Sequence, residues 1–166
     1  MDIAFYLASA VAVVATLLVI VTANAVHALL YLIVSLLAVA VVFYVLGAPF
    51  AAALEVIVYA GAIMVLFIFV MMMLNLGSAA TARERGWLRP AIWIGPAILA
   101  GLLLAEMIWV LAHGASGSGA GLVVDAKHVG MLLFGPYLLG VELASLLLLA
   151  GLVGAHHLGR REPGQA

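Results

Sequence analysis

The sequence predicts an all-α membrane protein with five transmembrane helices, and three observations carry that prediction. Its 166 residues are 69% hydrophobic and only 8% charged, with a mean hydropathy of +1.38, far outside the range of a soluble globular domain. Apolar runs of roughly 20 residues, the length a bilayer core about 30 Å thick demands of a helix, follow one another with short polar breaks. The runs are unbroken instead of alternating, which excludes the short strands of a membrane barrel. Residues 1–166 therefore read as a single membrane domain.

The first helix spans about residues 3–22. Its start, "MDIAFYLASAVAVVATLLVIV", lacks the basic n-region of a signal peptide and reads as a retained span. Asn24 can cap the following turn, and the second helix covers about 27–46 until "LGAP" at Leu46 to Pro49 ends it. The third covers about 52–76. "GSAATARERGWLRP" then supplies Gly, charge and Pro in a loop over 77–90 before the fourth helix at about 91–112. "HGASGSGAGL" has no apolar periodicity and opens a flexible linker over 113–132, before the fifth helix at about 133–156.

Charge sets an orientation. Arg83, Arg85 and Arg89 follow the third helix and Arg160 and Arg161 follow the fifth, leaving only Lys127 elsewhere. With five spans both basic regions fall on one side, so the positive-inside rule places the C-terminus in the cytoplasm and the N-terminus outside. Trp87 and Trp109, near opposite ends of the fourth helix, can serve as interfacial anchors or as packing residues.

Several function classes drop out. The chain has no cysteine, hence no disulfide or iron–sulfur ligand. A net charge of −1 argues against nucleic acid. His27, His156 and His157 read as interfacial side chains without metal-ligand spacing, and no phosphate loop or nucleophile arrangement is present. The chain carries no recognisable catalytic centre.

Three acids lie within predicted spans: Glu55, Glu106 and Glu142. A charge at mid-bilayer costs about 2.5–3.5 kcal/mol on insertion scales, so each is expected to be neutral, hydrated or paired, and no Lys or Arg lies within a span to pair it. Glu55 admits two readings, an acid snorkelling to the interface or a member of a proton or water path. Glu142 sits deeper and favours function slightly, whereas Glu106 reads as a structural or interfacial acid. Tyr59, four residues after Glu55, shares its helix face and can either extend a hydrogen-bonded chain or bond a carbonyl. Gly61, within "AGA", permits close helix approach and tolerates a change of pitch such as a π-bulge. Met71 to Met73 read as lipid-facing or gap-filling residues, since three consecutive positions cannot share a face.

The stretch "EVIVYAGAIMVLFIFVMMMLNLG" resembles the signature third helix of the subunit J family of the proton-pumping NADH-quinone oxidoreductase, respiratory complex I. "NAVHALLYLIVSLLAVAVVFYVLGAPFAAALE", "WIGPAIL" and "LFGPYLLGVELASLLLLAGLVGA" extend the resemblance over most of the chain, in the family order. The resemblance implies a noncatalytic subunit of a complex in the bacterial cytoplasmic (inner) membrane that oxidises NADH, reduces quinone and moves protons. It implies that FMN and iron–sulfur clusters belong to the complex and are not bound by this chain. It also implies neighbours: subunit K, the quinone-site subunit and the antiporter-like subunits. Glu55, Tyr59 and Gly61 match the third-helix motif, Glu142 matches the fifth-helix motif, and Glu106 matches none.

The resemblance further implies that the third helix can carry a π-bulge that interconverts with regular α-helix; with a polar, small-residue segment inside an apolar helix, the leading reading is that rotation about Tyr59 to Leu66, including Val65 and Leu66, gates a water path between subunits. Two other readings stand beside this one: a passive structural subunit joining the quinone and pumping modules, and an independent small ion transporter. Where many relatives have a proline before the fifth-helix acid, this chain has Gly140 in "LLGVE", so a kink there would rest on glycine.

Overall fold

Small side chains decide how the first two helices meet. Helix α1 (Asp2–Val21) turns back through a three-residue connection into α2 (Ala25–Val45). Ala4, Ala8, Val11 and Ala15, spaced four, three and four apart, form a buried stripe on α1. Val34, Ala38 and Val41 answer it from α2, and such small residues let helix backbones approach closely in membranes. A polar clasp crosses the seam: the Thr16 and Ser35 hydroxyls lie 2.8 Å apart, and both reach the Ala12 carbonyl, at 2.8 and 3.2 Å. Asn24 caps α2, its side-chain oxygen accepting the Val26 and His27 backbone N–H groups at 3.0 and 3.4 Å.

The second helix ends in a Schellman turn. Gly47, at φ 83°, occupies the left-handed region. Its N–H donates to Tyr44 O at 3.1 Å, and the Ala48 N–H donates to Phe43 O at 2.9 Å. The freed Gly47 carbonyl accepts the Val124 N–H at 2.9 Å. Pro49 then opens the third span, where its missing N–H costs nothing. That span runs through α3 (Pro49–Leu54), a π-helical segment (Glu55–Ile63) and α4 (Met64–Leu74).

Helix α5 (Pro90–Ala112) completes a three-helix core, with Leu103 packed among Val11, Ala15, Val34 and Ala38. Pro96 sits inside α5, and the preceding Gly95 faces Tyr31 so closely that a Cβ there would overlap the Tyr31 hydroxyl.

The computed structural model describes residues 2–74, 90–112 and 123–159, and the chain divides into two compact units, Met1–Val124 and Asp125–Ala166. In the second unit, Asp125 caps the short helix α6 (Ala126–Leu133), which a turn over 134–137 separates from α7 (Leu138–Gly159). Gly135 is required in that turn, because a Cβ there would stand 2.7 Å from the Met131 carbonyl oxygen.

Among the described residues, five helices are long and apolar enough to cross a membrane: Ile3–Val21, Ala25–Val45, Pro49–Met73, Trp93–Ala112 and Leu138–Gly159. The third begins three residues before the predicted Ala52, because Pro49 starts the helix as soon as the glycine turn ends. The fifth begins at Leu138 and not near Leu133, because Gly135 and Pro136 break the chain there; residues 126–132, expected as linker, fall within α6. The arginines behind the orientation, Trp87, most of the 77–90 loop and the "HGASGSGAGL" stretch lie outside the described residues.

Two predictions follow from these local structures. Gly47→Ala places a Cβ in the left-handed region and should cost about 1 kcal/mol, read as a lower melting temperature in detergent. The His128 backbone N–H at 2.9 Å, then its ring Nδ1 at 2.8 Å, hold the Asp125 carboxyl below the usual carboxylate range. Because the folded value is depressed, the cap stabilises α6 above the unfolded carboxylate range and is lost as pH falls through the folded value. Hydrogen exchange at the His128 amide should be slow at neutral pH and accelerate, relative to an Asp125→Asn control, on acidification.

Candidate functional site: the π segment of the third span

The third span changes its hydrogen-bond register. At its start the Glu55 N–H reaches Ala51 O and Ala52 O, the tight pairing of an α or 3₁₀ turn. At the far end the Met64 N–H reaches Tyr59 O, five residues back, as well as Gly61 O. Between them the nine residues "EVIVYAGAI" form the π segment, longer than the single-turn bulge in which π geometry usually occurs. Gly61 suits this geometry for a steric reason. A Cβ at Gly61 would stand 3.1 Å from the Val56 carbonyl oxygen, five residues back, tighter than ordinary contact. Ala60 and Ala62 beside it add little bulk.

Most side chains of this segment are exposed, although Val56 lines a groove shared with α2 and α5. Tyr59 is 52% exposed, Val65 and Leu66 are 60% each, and Glu55 and Gly61 are half-buried. Met64 is the exception, at 2% exposure, on a span whose packing partner is α2. Met72 and Met73 are exposed, as expected of lipid-facing or gap-filling residues. Glu55 and Tyr59 lie one turn apart, and among the described residues no hydrogen bond joins the carboxyl to the hydroxyl. Glu55, Tyr59 and Gly61 are thus collected on the π segment, whereas Val65 and Leu66 stand just beyond it, on regular α-helix.

Glu142 belongs to the second unit, where it is exposed on α7, and its carbonyl accepts the Ser145 hydroxyl at 2.7 Å. Glu106, read as a structural or interfacial acid, is buried in the core of the first unit, with 6% exposure. Leu103 and Val110, three before and four after it, lie on the same face of α5 and are also buried. An apolar groove of about 580 Å³ separates the start of the third span from α5, lined by Leu37, Val41, Ala52, Val56 and Leu103 among others. Among the described residues no group of three or more His, Asp or Glu side chains is placed to hold a metal.

Five helices long and apolar enough to cross a membrane, one of them carrying a π segment, define a multi-span helical membrane protein. The profile of the NADH-ubiquinone/plastoquinone oxidoreductase chain 6 family matches residues 15–158. The chain is 64% identical to NADH-quinone oxidoreductase subunit J of Pseudomonas aeruginosa, covering 99% of this chain and 100% of that one. It is 58% identical to the subunit J of Escherichia coli K12, covering 98% and 88%. With the subunit J of Buchnera aphidicola subsp. Schizaphis graminum it shares 49%, covering 98% and 99%. The chain belongs to the family of membrane subunits designated chain 6, or subunit J, of NADH-quinone oxidoreductase.

Gly61→Ala should disfavour the π register, because only that register brings the Val56 carbonyl against the new methyl. A structure of the variant should show the Met64 N–H paired with Ala60 O in place of Tyr59 O.

Proposed function

We propose that this chain is a noncatalytic coupling subunit of a proton-pumping NADH-quinone oxidoreductase in the bacterial cytoplasmic membrane, with its N-terminus outside and its C-terminus in the cytoplasm. FMN, the iron–sulfur clusters and the quinone site belong to other subunits. Subunit K, the quinone-site subunit and the antiporter-like subunits are its neighbours. The observation that carries this reading is the π segment at Glu55–Ile63, which coincides with the polar strip and with its glycine.

Conversion of that segment to regular α-helix moves the following residues by one position in register, about 100° of rotation and 1.5 Å of rise. Val65 and Leu66, exposed on this chain, then sweep across the face of an adjoining subunit and open or close a water path. Glu55 and Tyr59 line the approach to that path, and Glu142 contributes an acid from the last helix. Quinone chemistry drives the change through the neighbours, by favouring one register over the other.

The test is proton pumping by the assembled complex in liposomes. Gly61→Leu should leave assembly intact and lower the proton-to-electron ratio severalfold, while Glu55→Gln and Tyr59→Phe should lower it less. A Gly61→Leu complex that assembles and pumps fully overturns the gate. The extended exposed apolar faces of the third and last spans also suit a passive subunit filling the junction between modules. On that second reading the three substitutions alter assembly, if anything, and leave the proton-to-electron ratio unchanged.

A further inference from the structure

Glu106 differs from the other two membrane acids in being covered by its own chain. It is 6% exposed, and neither carboxyl oxygen has a hydrogen-bond partner among the described residues. Leu103 and Val110 flank it at 5% and 7% exposure. The carboxyl lies beside the backbone of Ala8 on α1, a fully buried residue, but no hydrogen bond of acceptable geometry results. We propose that Glu106 is a proton-binding site, a carboxylic acid held neutral at the junction of α1, α2 and α5.

No Lys or Arg occurs on α1, α2 or α5. The titratable side chains on the two packed helices, apart from Asp2 at the α1 terminus, are Tyr6, His27, Tyr31 and Tyr44. Tyr6 is 70% exposed. Tyr31 lies against Gly95, whose position is eleven residues and about 16 Å along α5 from Glu106. His27 stands a further turn toward the start of α2. Tyr44 shares a small apolar pocket with Met107 and Val110 and makes no bond to the carboxyl.

A cation from a neighbouring subunit meets a different obstacle. The carboxyl is already enclosed by this chain, so a partner's guanidinium or ammonium group would have to part α5 from α1 and α2 to reach it. Calcium and magnesium sites take about six oxygens or more, and this junction presents two carboxyl oxygens. An ionised carboxylate left alone in such a place is prohibitively costly, whereas a proton removes its charge without enlarging the space it needs.

The test uses the assembled complex in lipid nanodiscs and infrared difference spectra at mildly alkaline pH, where exposed acids are ionised. Wild type minus Glu106→Gln should contain the carbonyl stretch of one protonated carboxylic acid and no carboxylate bands. Wild type minus Glu106→Asp should show that band displaced and not lost, since the shorter side chain keeps the acid. Carboxylate bands in the first difference overturn the proposal. So does failure of the Glu106→Gln complex to assemble, because the amide is the nearest neutral replacement for the acid.

Discussion

Every backbone N–H and C=O of a lipid-embedded span must find its partner inside the protein, since the bilayer core offers no water to accept or donate in its place. The rest of the chain's architecture follows from that requirement. A span that needs to be pliable cannot simply unwind, as a loop in water can. It can only exchange one internal pairing scheme for another. The π segment at Glu55–Ile63 is such an exchange: the hydrogen bonds persist, shifted by one residue, and the helix widens without exposing its backbone. Gly61 makes the shift sterically tolerable, and the flanking α3 and α4 confine it.

The same requirement explains the division of labour among the helices. The α1–α2 pair is rigid because alanine-sized side chains bring the backbones together and the Thr16–Ser35–Ala12 clasp satisfies its polar groups internally. Helix α5 joins this frame through Leu103. The third span rests on α2 through few buried side chains, Ala52 and Met64 being the two buried among the described residues, and leaves Tyr59 exposed and Glu55 half-buried. A frame that buries small residues beside a span that buries few is a physical basis for moving one relative to the other.

Much of this was readable from residue order, and the reasons differ by element. Long apolar runs announced the helices because lipid imposes length. Asn24 and "LGAP" announced the first two turns because capping and left-handed glycine are local chemistry that neighbouring helices cannot alter. Glu55, Tyr59 and Gly61 drew notice as polarity and a small residue inside an apolar run. The nine-residue extent of the π segment was not readable, because hydrogen-bond register depends on how nearly α and π pairings balance across the whole span. The Gly135–Pro136 break was passed over because apolar residues continue on both sides of it. The burial of Glu106 is not legible for another reason: in a uniformly apolar helix, hydropathy does not separate the face turned toward protein from the face turned toward lipid. Only packing against Ala8, Val11 and Val34 does so.

The Gly47 turn fixes a boundary condition on the third span. Its Schellman bonds, the Pro49 start and the strut from the Val124 N–H to the Gly47 carbonyl tie the leading end of that span to α2 and to the last residue of the first unit. A rod clamped at one end transmits twist only toward the other. Any change of pitch between Glu55 and Ile63 is therefore delivered to Met64 and the residues beyond it, while Pro49 to Leu54 stay in place. Met64, buried where its neighbours are exposed, would act as a detent in the proposed motion: a one-residue turn would lift it from its seat and present an adjacent side chain there instead, giving discrete stops and not a continuous range.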